Sequence, residues 1–162
     1  MIRPAESGDA AAIAEIWNAV IRNTVATFNS VEKTIAEIEA LIAARHASGR
    51  CFLVAEDDIG LCGFVTYDQF RGGIGYVDTM EHTIHIAPRA FGQGWGRGLM
   101  AAMEQHARDR GVHVMVAGVT GENLSGQSFH KSLGYSSVVV MPEVGQKFGR
   151  RMDLWLMQKF LT

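Results

Sequence analysis

The sequence predicts a mixed α/β fold, because short apolar strands alternate with amphipathic helices along its 162 residues. Apolar residues recur at helical spacing in residues 12–21 and 35–44, which indicates two helices near the N-terminus. The apolar run at residues 112–119 is typical of a strand buried on both faces. The predicted order is one strand, two helices, three strands, a helix, a strand, a helix and two strands. No repeat or linker interrupts it, so we expect residues 1–162 to form a single domain.

The N-terminal third is predicted to contain one short strand and two helices. Residues 2–5 form the strand, and Ser7-Gly8-Asp9 offers an N-cap to the first helix. A loop at residues 23–30 follows that helix. The pattern Thr34-x-x-Glu37 is a capping box, and it predicts the start of the second helix.

The rest of the chain is predicted to be rich in strands. Residues 51–67 form a hairpin around an acidic turn, and residues 68–77 are too irregular for a strand yet apolar enough to line a site. A short helix spans residues 124–133. The last two strands, residues 135–141 and 152–161, are joined by a predicted loop from Pro142 to Arg151.

A glycine-rich segment at the centre of the chain carries the strongest functional signal. A predicted strand ends at Pro88, four glycines alternate with other residues, and a helix then runs to Gly111; the glycines are Gly92, Gly94, Gly96 and Gly98. Such a loop exposes backbone N–H groups at a helix N-terminus, where the helix dipole also favours anions. The segment therefore predicts a phosphate or pyrophosphate site, and a glycine-rich turn without a ligand is the alternative.

Two common glycine loops do not match this one. A nucleotide P-loop needs Lys and then Ser or Thr after its last glycine, whereas Leu99 follows Gly98 here. A dinucleotide fingerprint needs a wider spacing before its third glycine and an early position in a βαβ unit. The loop lies past the middle of the chain, so neither class of nucleotide site is predicted.

Composition narrows the classes of partner. The net charge of −2 does not indicate the basic surface that a nucleic-acid-binding protein needs. The sequence contains no run of 18 apolar residues, so no membrane span is predicted. Cys51 and Cys62 are too few for a disulfide framework, so we expect free thiols and a cytoplasmic protein. His82 and His85 are three apart on a predicted strand and face opposite sides, so we expect no metal site.

Together with Asn123 and the stretch Phe129-His130-Lys131-Ser132-Leu133-Gly134-Tyr135, the glycine loop resembles the GNAT N-acetyltransferase superfamily. The loop match is Phe91-Gly92-Gln93-Gly94-Trp95-Gly96, in which Phe91 replaces the family's Arg or Gln. Met80-Glu81-His82-Thr83 and the stretch from Met141 to Arg150 resemble the phosphinothricin and methionine sulfoximine acetyltransferases within it. This resemblance implies a mixed, mostly antiparallel central sheet flanked by helices, with acetyl-CoA as co-substrate and a small amine or amino acid as acceptor.

The resemblance also implies which residues contact acetyl-CoA. Backbone N–H groups of the glycine loop would hold its pyrophosphate, and they belong to Gly92, Gln93, Gly94, Trp95, Gly96 and Arg97. The pantetheine arm would lie against backbone groups of Ile84, His85 and Ile86. It would fill a gap that opens where this strand separates from the neighbouring strand. Asn123 and His130 would contact the cofactor as well. A helix N-cap is the alternative role for Asn123.

Two side chains are predicted to take part in the chemistry. The resemblance implies that His130 faces the cofactor sulfur, where it would donate a proton to the thiolate or only contact the cofactor. Glu81 lies at the start of the central strand, where it acts as the base for the substrate ammonium or only binds it.

The acceptor pocket is predicted from the same resemblance. Arg71 would pair with a substrate carboxylate, with a solvated loop position as its alternative, and Phe28, Asn29 and Tyr76 would form pocket walls. The loop containing Lys147, Phe148 and Arg150 would contact the partner subunit of a homodimer, or form a solvated turn. A protein N-terminus or a polyamine is the alternative acceptor, and a non-catalytic acyl-CoA sensor is the alternative function.

Overall fold

The computed structural model describes residues 1–162 and has a seven-stranded sheet at its centre, in the order β1-β2-β3-β4-β5-β7-β6. The strands are β1 (Ile2–Pro4), β2 (Phe52–Asp57), β3 (Gly60–Gln69), β4 (Thr79–Ile86), β5 (Val114–Thr120), β6 (Ser136–Lys147) and β7 (Arg150–Phe160). Every neighbouring pair is antiparallel except β4 and β5, which run parallel. The predicted mixed, mostly antiparallel sheet is therefore confirmed.

Four helices flank the sheet, in the predicted order along the chain. They are α1 (Ala10–Asn23), α2 (Ile35–Ala47), α3 (Trp95–Asp109) and α4 (Leu124–Ser132). The capping box of α2 is present, since Thr34 Oγ1 accepts from Glu37 N–H and the Glu37 carboxylate accepts from Thr34 N–H. The side-chain N-cap expected from Ser7-Gly8-Asp9 is not formed. Asp9 precedes α1, but its carboxylate binds Arg3 and the N–H of Glu6 instead. None of the four helices combines the length and the hydropathy that a membrane-spanning helix needs.

The core is divided between the two faces of the sheet. Helix α3 packs Leu99 and Met103 on one face, and α1 and α2 pack Trp17 and Ile38 on the other. Neighbouring residues of a strand alternate between the two clusters, as the two-residue period of a strand requires. Both cysteines are buried and free.

The sheet opens between its two parallel strands. Strands β4 and β5 pair only over three positions, from Thr79 with Val114 to Glu81 with Val116. Strand β4 stays paired with β3 as far as Ile86. From His82 onward β4 therefore diverges from β5, which confirms the gap implied by the family resemblance.

The prediction of a loop from Pro142 to Arg151 between the last two strands is wrong. Strand β6 continues to Lys147 and β7 begins at Arg150, so only Phe148 and Gly149 form the turn. Pro142 suggested that the strand ends there. Instead it lies in an irregular stretch between Met141 and Gly145, after which the pairing resumes. A proline on an edge strand can occupy a bulge without ending the ladder.

Candidate active site

Two cavities meet where β4 and β5 separate. The fork cavity, about 460 Å³, lies between the loop that follows α1 and the diverging strands. The glycine-loop cleft, about 910 Å³, runs along the end of β4 and over the start of α3. Four of the predicted site residues line both, so the two cavities are continuous there: Ile84, His85, Asn123 and His130.

The glycine loop leads directly into α3, which begins at Trp95. Gly92 and Gly94 have φ values of 74° and 87°, which side chains other than glycine rarely adopt. The first backbone bond made by α3 runs from Gly98 N–H to Gly94 O, so the N–H groups of residues 92–97 have no partner within the protein. Six unpartnered backbone donors at a helix N-terminus are compatible with the anion site expected from the sequence, and the pyrophosphate contact itself stays a prediction.

The cleft has features that fit acetyl-CoA. The free N–H groups of residues 92–97 suit a pyrophosphate. Backbone groups of Ile84 to Ile86 that face the gap have no strand partner, so they suit the amides of a pantetheine arm. Trp95 and Phe129 add apolar surface to the lining.

Asn123 caps α4 at the junction of the two cavities. Its Oδ1 accepts a hydrogen bond from Gly126 N–H at 2.9 Å and one from Ser125 Oγ at 3.2 Å. The N-cap role given as an alternative is therefore present. The cofactor contact implied for Asn123 stays a prediction, and its place on the lining of both cavities is compatible with it.

His130 lies on α4 with both ring nitrogens engaged by the protein. Nδ1 is 2.7 Å from Gly126 O, and Nε2 is 3.0 Å from Nε2 of His82. Burial lowers the pKa of His130, while Gly126 O and the charge of Glu104 oppose that shift. No ring N–H of His130 is left unengaged toward the cleft, so the proton-donor role stays a prediction that would require one of these bonds to break.

His82 is the partner of His130 that the sequence did not reveal. Its Nδ1 lies 3.1 Å from Val116 O, at the last paired position of β4 and β5. Burial lowers the pKa of His82, and repulsion from His130 lowers it further, so the pair does not carry two charges. The two residues are 48 positions apart in the chain, and no local pattern links them.

His85 faces the opposite side of β4, as its spacing from His82 predicts. Its ring packs against Phe64 and Trp17, with centroids 5.5 Å and 5.9 Å apart. Burial lowers the pKa of His85 to about 4, so its imidazole is neutral at physiological pH. Its side chain is part of the wall, and its backbone lies in the predicted cofactor strand.

Glu81 is a half-buried carboxylate in the fork cavity with no ion pair or hydrogen-bond partner within the protein. The side chain has room because residue 118 is glycine, where a Cβ would lie 2.9 Å from Glu81 Oε1. Burial raises the pKa of Glu81, which makes the carboxylate a stronger base than an exposed one. The arrangement is compatible with both predicted roles, proton acceptor and ammonium binder.

The loop after α1 forms one wall of the fork cavity and carries Phe28 and Asn29, as predicted. Lys147 holds this loop: its Nζ donates to Thr24 O at 2.7 Å and to Thr27 O at 2.9 Å. Lys147 is only 3% exposed. The expectation that Lys147 lies in a solvated turn is therefore wrong, because its ammonium binds the protein's own loop. The partner contact expected of this segment stays a prediction for the exposed Phe148 and Arg150.

Two further contacts fix the same loop. Thr120 Oγ1 donates to Val25 O at 2.6 Å. The ring of Phe28 lies so close over Gly145 that a Cβ at that position would overlap it. Together with Lys147, these contacts determine where the Phe28 wall stands.

Lys33 is a site residue that sequence reasoning missed. The side-chain amide of Asn18 clamps its backbone, donating to Lys33 O at 2.9 Å and accepting from Lys33 N–H at 2.8 Å. Its ammonium lies 4.6 Å from the centre of the Trp17 ring and makes no ion pair. Among the residues that line the fork cavity, only Lys33 and Glu81 are of the Lys, Arg, Asp or Glu type.

Arg71 and Tyr76, which were predicted to contact the substrate, are not brought to the fork cavity. Both lie in the exposed segment between β3 and β4, with the Arg71 guanidinium 5.8 Å from the centre of the Tyr76 ring. Gln69 Nε2 donates to Arg71 O and shapes this segment. Their contact with substrate stays a prediction that this geometry does not favour.

Comparison with known proteins agrees with the geometry of the site. Residues 2–156 match the family model described as Acetyltransferase (GNAT) domain. The L-amino acid N-acyltransferase MnaT of Escherichia coli is 38% identical, covering 97% of this chain and 91% of that protein. The L-methionine sulfoximine/L-methionine sulfone acetyltransferase of Salmonella typhimurium is 37% identical, covering 97% of this chain and 92% of that protein.

Solved structures give the same result. An acetyltransferase of Salmonella typhimurium, determined with its cofactor acetyl-CoA, has a TM-score of 0.96 and 36% identity, covering 100% of this chain and 94% of that one. The ribosomal-protein-alanine N-acetyltransferase of Brucella melitensis has a TM-score of 0.95 and 34% identity, covering 99% of each chain. With the glycine loop, the strand gap and a family match across nearly its whole length, the chain belongs to the GNAT acetyltransferase family, whose members use acetyl-CoA.

Proposed function

We propose that the protein transfers the acetyl group of acetyl-CoA to the α-amino group of a small amino acid or amino-acid analogue, of the methionine sulfoximine or phosphinothricin type. The observation that carries this proposal is the charge of the fork cavity, which is lined by one unpaired carboxylate, Glu81, and one unpaired ammonium, Lys33. A zwitterionic amino acid carries one charge to match each of them.

The residues of the chain have distinct roles in this proposal. Acetyl-CoA supplies an activated acetyl thioester when it is bound. Backbone N–H groups of residues 92–97 bind its pyrophosphate, and Ile84 to Ile86 align its arm with the gap. Lys33 binds the acceptor carboxylate, and Glu81 takes a proton from the ammonium, directly or through one water, so that a neutral amine faces the thioester.

Other acceptors fit the cavity less well. A polyamine has no carboxylate for Lys33 and would meet its positive charge. Asp68, which could have attracted a polyamine, is already paired with Arg45 and Arg50. A peptide N-terminus lacks a carboxylate next to its amine. A sensor without catalysis would have no use for an unpaired carboxylate with a raised pKa.

We also propose a homodimer formed through β6. This strand is at the edge of the sheet and exposes a row of apolar side chains: Val138, Val139, Val140, Met141 and Val144. Phe148, in the turn that follows the strand, is exposed as well. A long apolar edge invites pairing with another chain. A second copy offers the same edge, and a twofold axis would cover both at once.

We place the protein in the cytoplasm, where acetyl-CoA is at hand and buried free thiols such as Cys51 and Cys62 stay reduced. Residues 1–162 act as one domain with a small-molecule acceptor and without a nucleic acid, since the net charge is −2.

Replacing Gly94 with Asp tests the pyrophosphate site. The new carboxylate stands beside the free N–H groups and repels the phosphates, so we expect acetyl-CoA affinity to fall at least about tenfold, or 1.4 kcal/mol. Gly94→Ala is the matched control, because it imposes the same backbone strain at positive φ without the charge. Calorimetric titration with acetyl-CoA measures both, and equal affinities in the two variants would contradict the assignment.

Replacing Glu81 with Gln tests the predicted base. The amide has the same shape but takes no proton, so we expect kcat to fall by about 10²- to 10⁴-fold. In the wild type, activity is lost as pH falls through the raised pKa of Glu81, because only the carboxylate accepts a proton. The variant should lack that limb and gain activity as the free amine increases with pH.

Glu39→Gln, at an exposed position of α2, is the control. A pH–rate series with unchanged kcat at Glu81→Gln would leave only the binding role.

Replacing Lys33 with Met tests which cation binds the substrate carboxylate. We expect KM for methionine sulfoximine to rise about thirtyfold, since a charge-assisted pair contributes on the order of 2 kcal/mol. The decarboxylated amine should show no such change, and Lys33→Arg should retain most of the affinity. Arg71→Ala, measured in parallel, tests the sequence-based alternative. A larger loss of amino-acid preference at Arg71 than at Lys33 would reverse the assignment.

Introducing charge on β6 tests the dimer. We expect sedimentation at micromolar concentration to show a dimer for the wild type and a monomer for the double substitution Val138→Glu and Val140→Glu, because two carboxylates cannot be buried unpaired at the axis. Val31→Glu, at an exposed apolar residue outside β6, should remain dimeric. A monomeric wild type would remove the proposal.

A further inference from the structure

His82 and His130 contact each other through their Nε2 atoms, and two neutral rings cannot form a hydrogen bond there while both Nδ1 atoms donate. Their Nε2 atoms are 3.0 Å apart, and each Nδ1 faces a backbone carbonyl, Val116 O for His82 and Gly126 O for His130. A carbonyl oxygen only accepts, so each Nδ1 carries a hydrogen. In two neutral imidazoles both Nε2 atoms would then present lone pairs to each other.

Only one proton arrangement satisfies all three contacts. If both rings are neutral with hydrogen on Nδ1, two lone pairs face each other in a buried site. If one ring moves its hydrogen to Nε2, its Nδ1 lone pair faces a carbonyl oxygen instead. One additional proton between the two Nε2 atoms gives every polar atom a partner, and unmatched polar contacts are most costly where water is excluded.

We propose that His82 and His130 share one proton between their Nε2 atoms at neutral pH, and that this fixed positive charge stabilises the negative charge that develops on the sulfur of the departing coenzyme A. The inference rests on the proposed acetyl transfer. His130 lines both cavities and faces the cleft, while His82 is a positioning residue that acts through His130. Proton transfer to the sulfur is not required, because a thiol with a pKa of about 8.5 departs readily as an anion.

The surroundings permit one charge at this pair. The Tyr135 ring lies 5.7 Å and 5.4 Å from the two imidazoles, and its hydroxyl donates to Glu104 at 3.2 Å. The negative charge of Glu104 favours a proton on His130, although Lys159 and Arg108 also bind that carboxylate. Burial lowers the pKa of both rings. The hydrogen bond between the two Nε2 atoms opposes that shift for the first proton, because only the singly protonated pair can form it; no such bond supports a second proton, which mutual repulsion also excludes.

The remaining titratable neighbours do not compete for this proton. On β4, Glu81 extends into the fork cavity and the neutral His85 faces the other side of the strand. On α4, Lys131 is drawn away over the Trp155 ring. Strand β5 contributes only the Val116 carbonyl.

Nitrogen-15 NMR of the imidazoles in the protein without acetyl-CoA tests the shared proton directly. At pH 7.5 we expect both Nδ1 atoms to be protonated and both Nε2 atoms to have chemical shifts between the protonated and unprotonated values. In His82→Gln, the Gln amide donates to His130 Nε2, so His130 should become neutral with an unprotonated Nε2. Two fully unprotonated Nε2 atoms in the wild type between pH 6 and 8 would overturn the proposal.

The electrostatic role is measured on bound coenzyme A through the ultraviolet absorbance of its thiolate. We expect the pKa of the bound thiol to be about 1 unit lower in the wild type than in His82→Gln, a tenfold difference in ionisation. Equal values would overturn the stabilising role even if NMR shows the shared proton. Neither measurement uses an acceptor amine, so an incorrect acceptor assignment would leave both results unchanged. If His82→Gln does not fold, the NMR result on the wild type by itself decides whether the proton is shared. The stabilising role then requires that the thiol of bound coenzyme A ionises about tenfold more readily than that of free coenzyme A.

Discussion

The rest of the site depends on the separation of two parallel strands after three paired positions. Where β4 leaves β5, a sheet would normally continue to pair its backbone groups, and unpaired buried groups are costly. The structure resolves this in two ways. The Nδ1–H of His82 donates to the Val116 carbonyl at the point of separation. The unpaired backbone groups of Ile84 to Ile86 border a cleft where a ligand can pair with them. The gap is therefore both a structural liability and the reason that a cofactor arm can lie inside the sheet.

The same separation brings the two halves of the reaction together. The glycine loop follows β4 after a short turn, so the helix N-terminus that suits a pyrophosphate is set by the direction of the diverging strand. Glu81 stands at the last paired position, and its carboxylate enters the fork cavity because Gly118 on β5 leaves room for it. One strand thus presents the carboxylate proposed as the base at the start of the gap and the open backbone edge along it.

Local patterns were sufficient for most of the fold and for the glycine loop. The order of the elements, the capping box of α2 and the strand-loop-helix unit all depend on neighbouring residues, so the sequence shows them directly. The error at Pro142 came from treating a proline as the end of a strand, when an edge strand can carry it in a bulge. Residues fixed only by tertiary contacts escaped prediction. Lys33 is placed by Asn18 and Trp17, and His82 meets His130 only once α4 packs on the sheet.

Lys147 shows why a charged residue can be structural without an ion pair. Burial lowers the pKa of its ammonium, yet two carbonyl oxygens beside the C-terminal end of α1 accept its hydrogens, where the helix dipole favours a cation. These bonds, with the Phe28 ring over Gly145, attach the wall of the fork cavity to β6. Strand β6 is also the exposed apolar edge of the sheet. The position of the acceptor wall and the geometry of the proposed dimer strand therefore depend on one another, because a shift in the register of β6 would move Lys147 and Phe28 together.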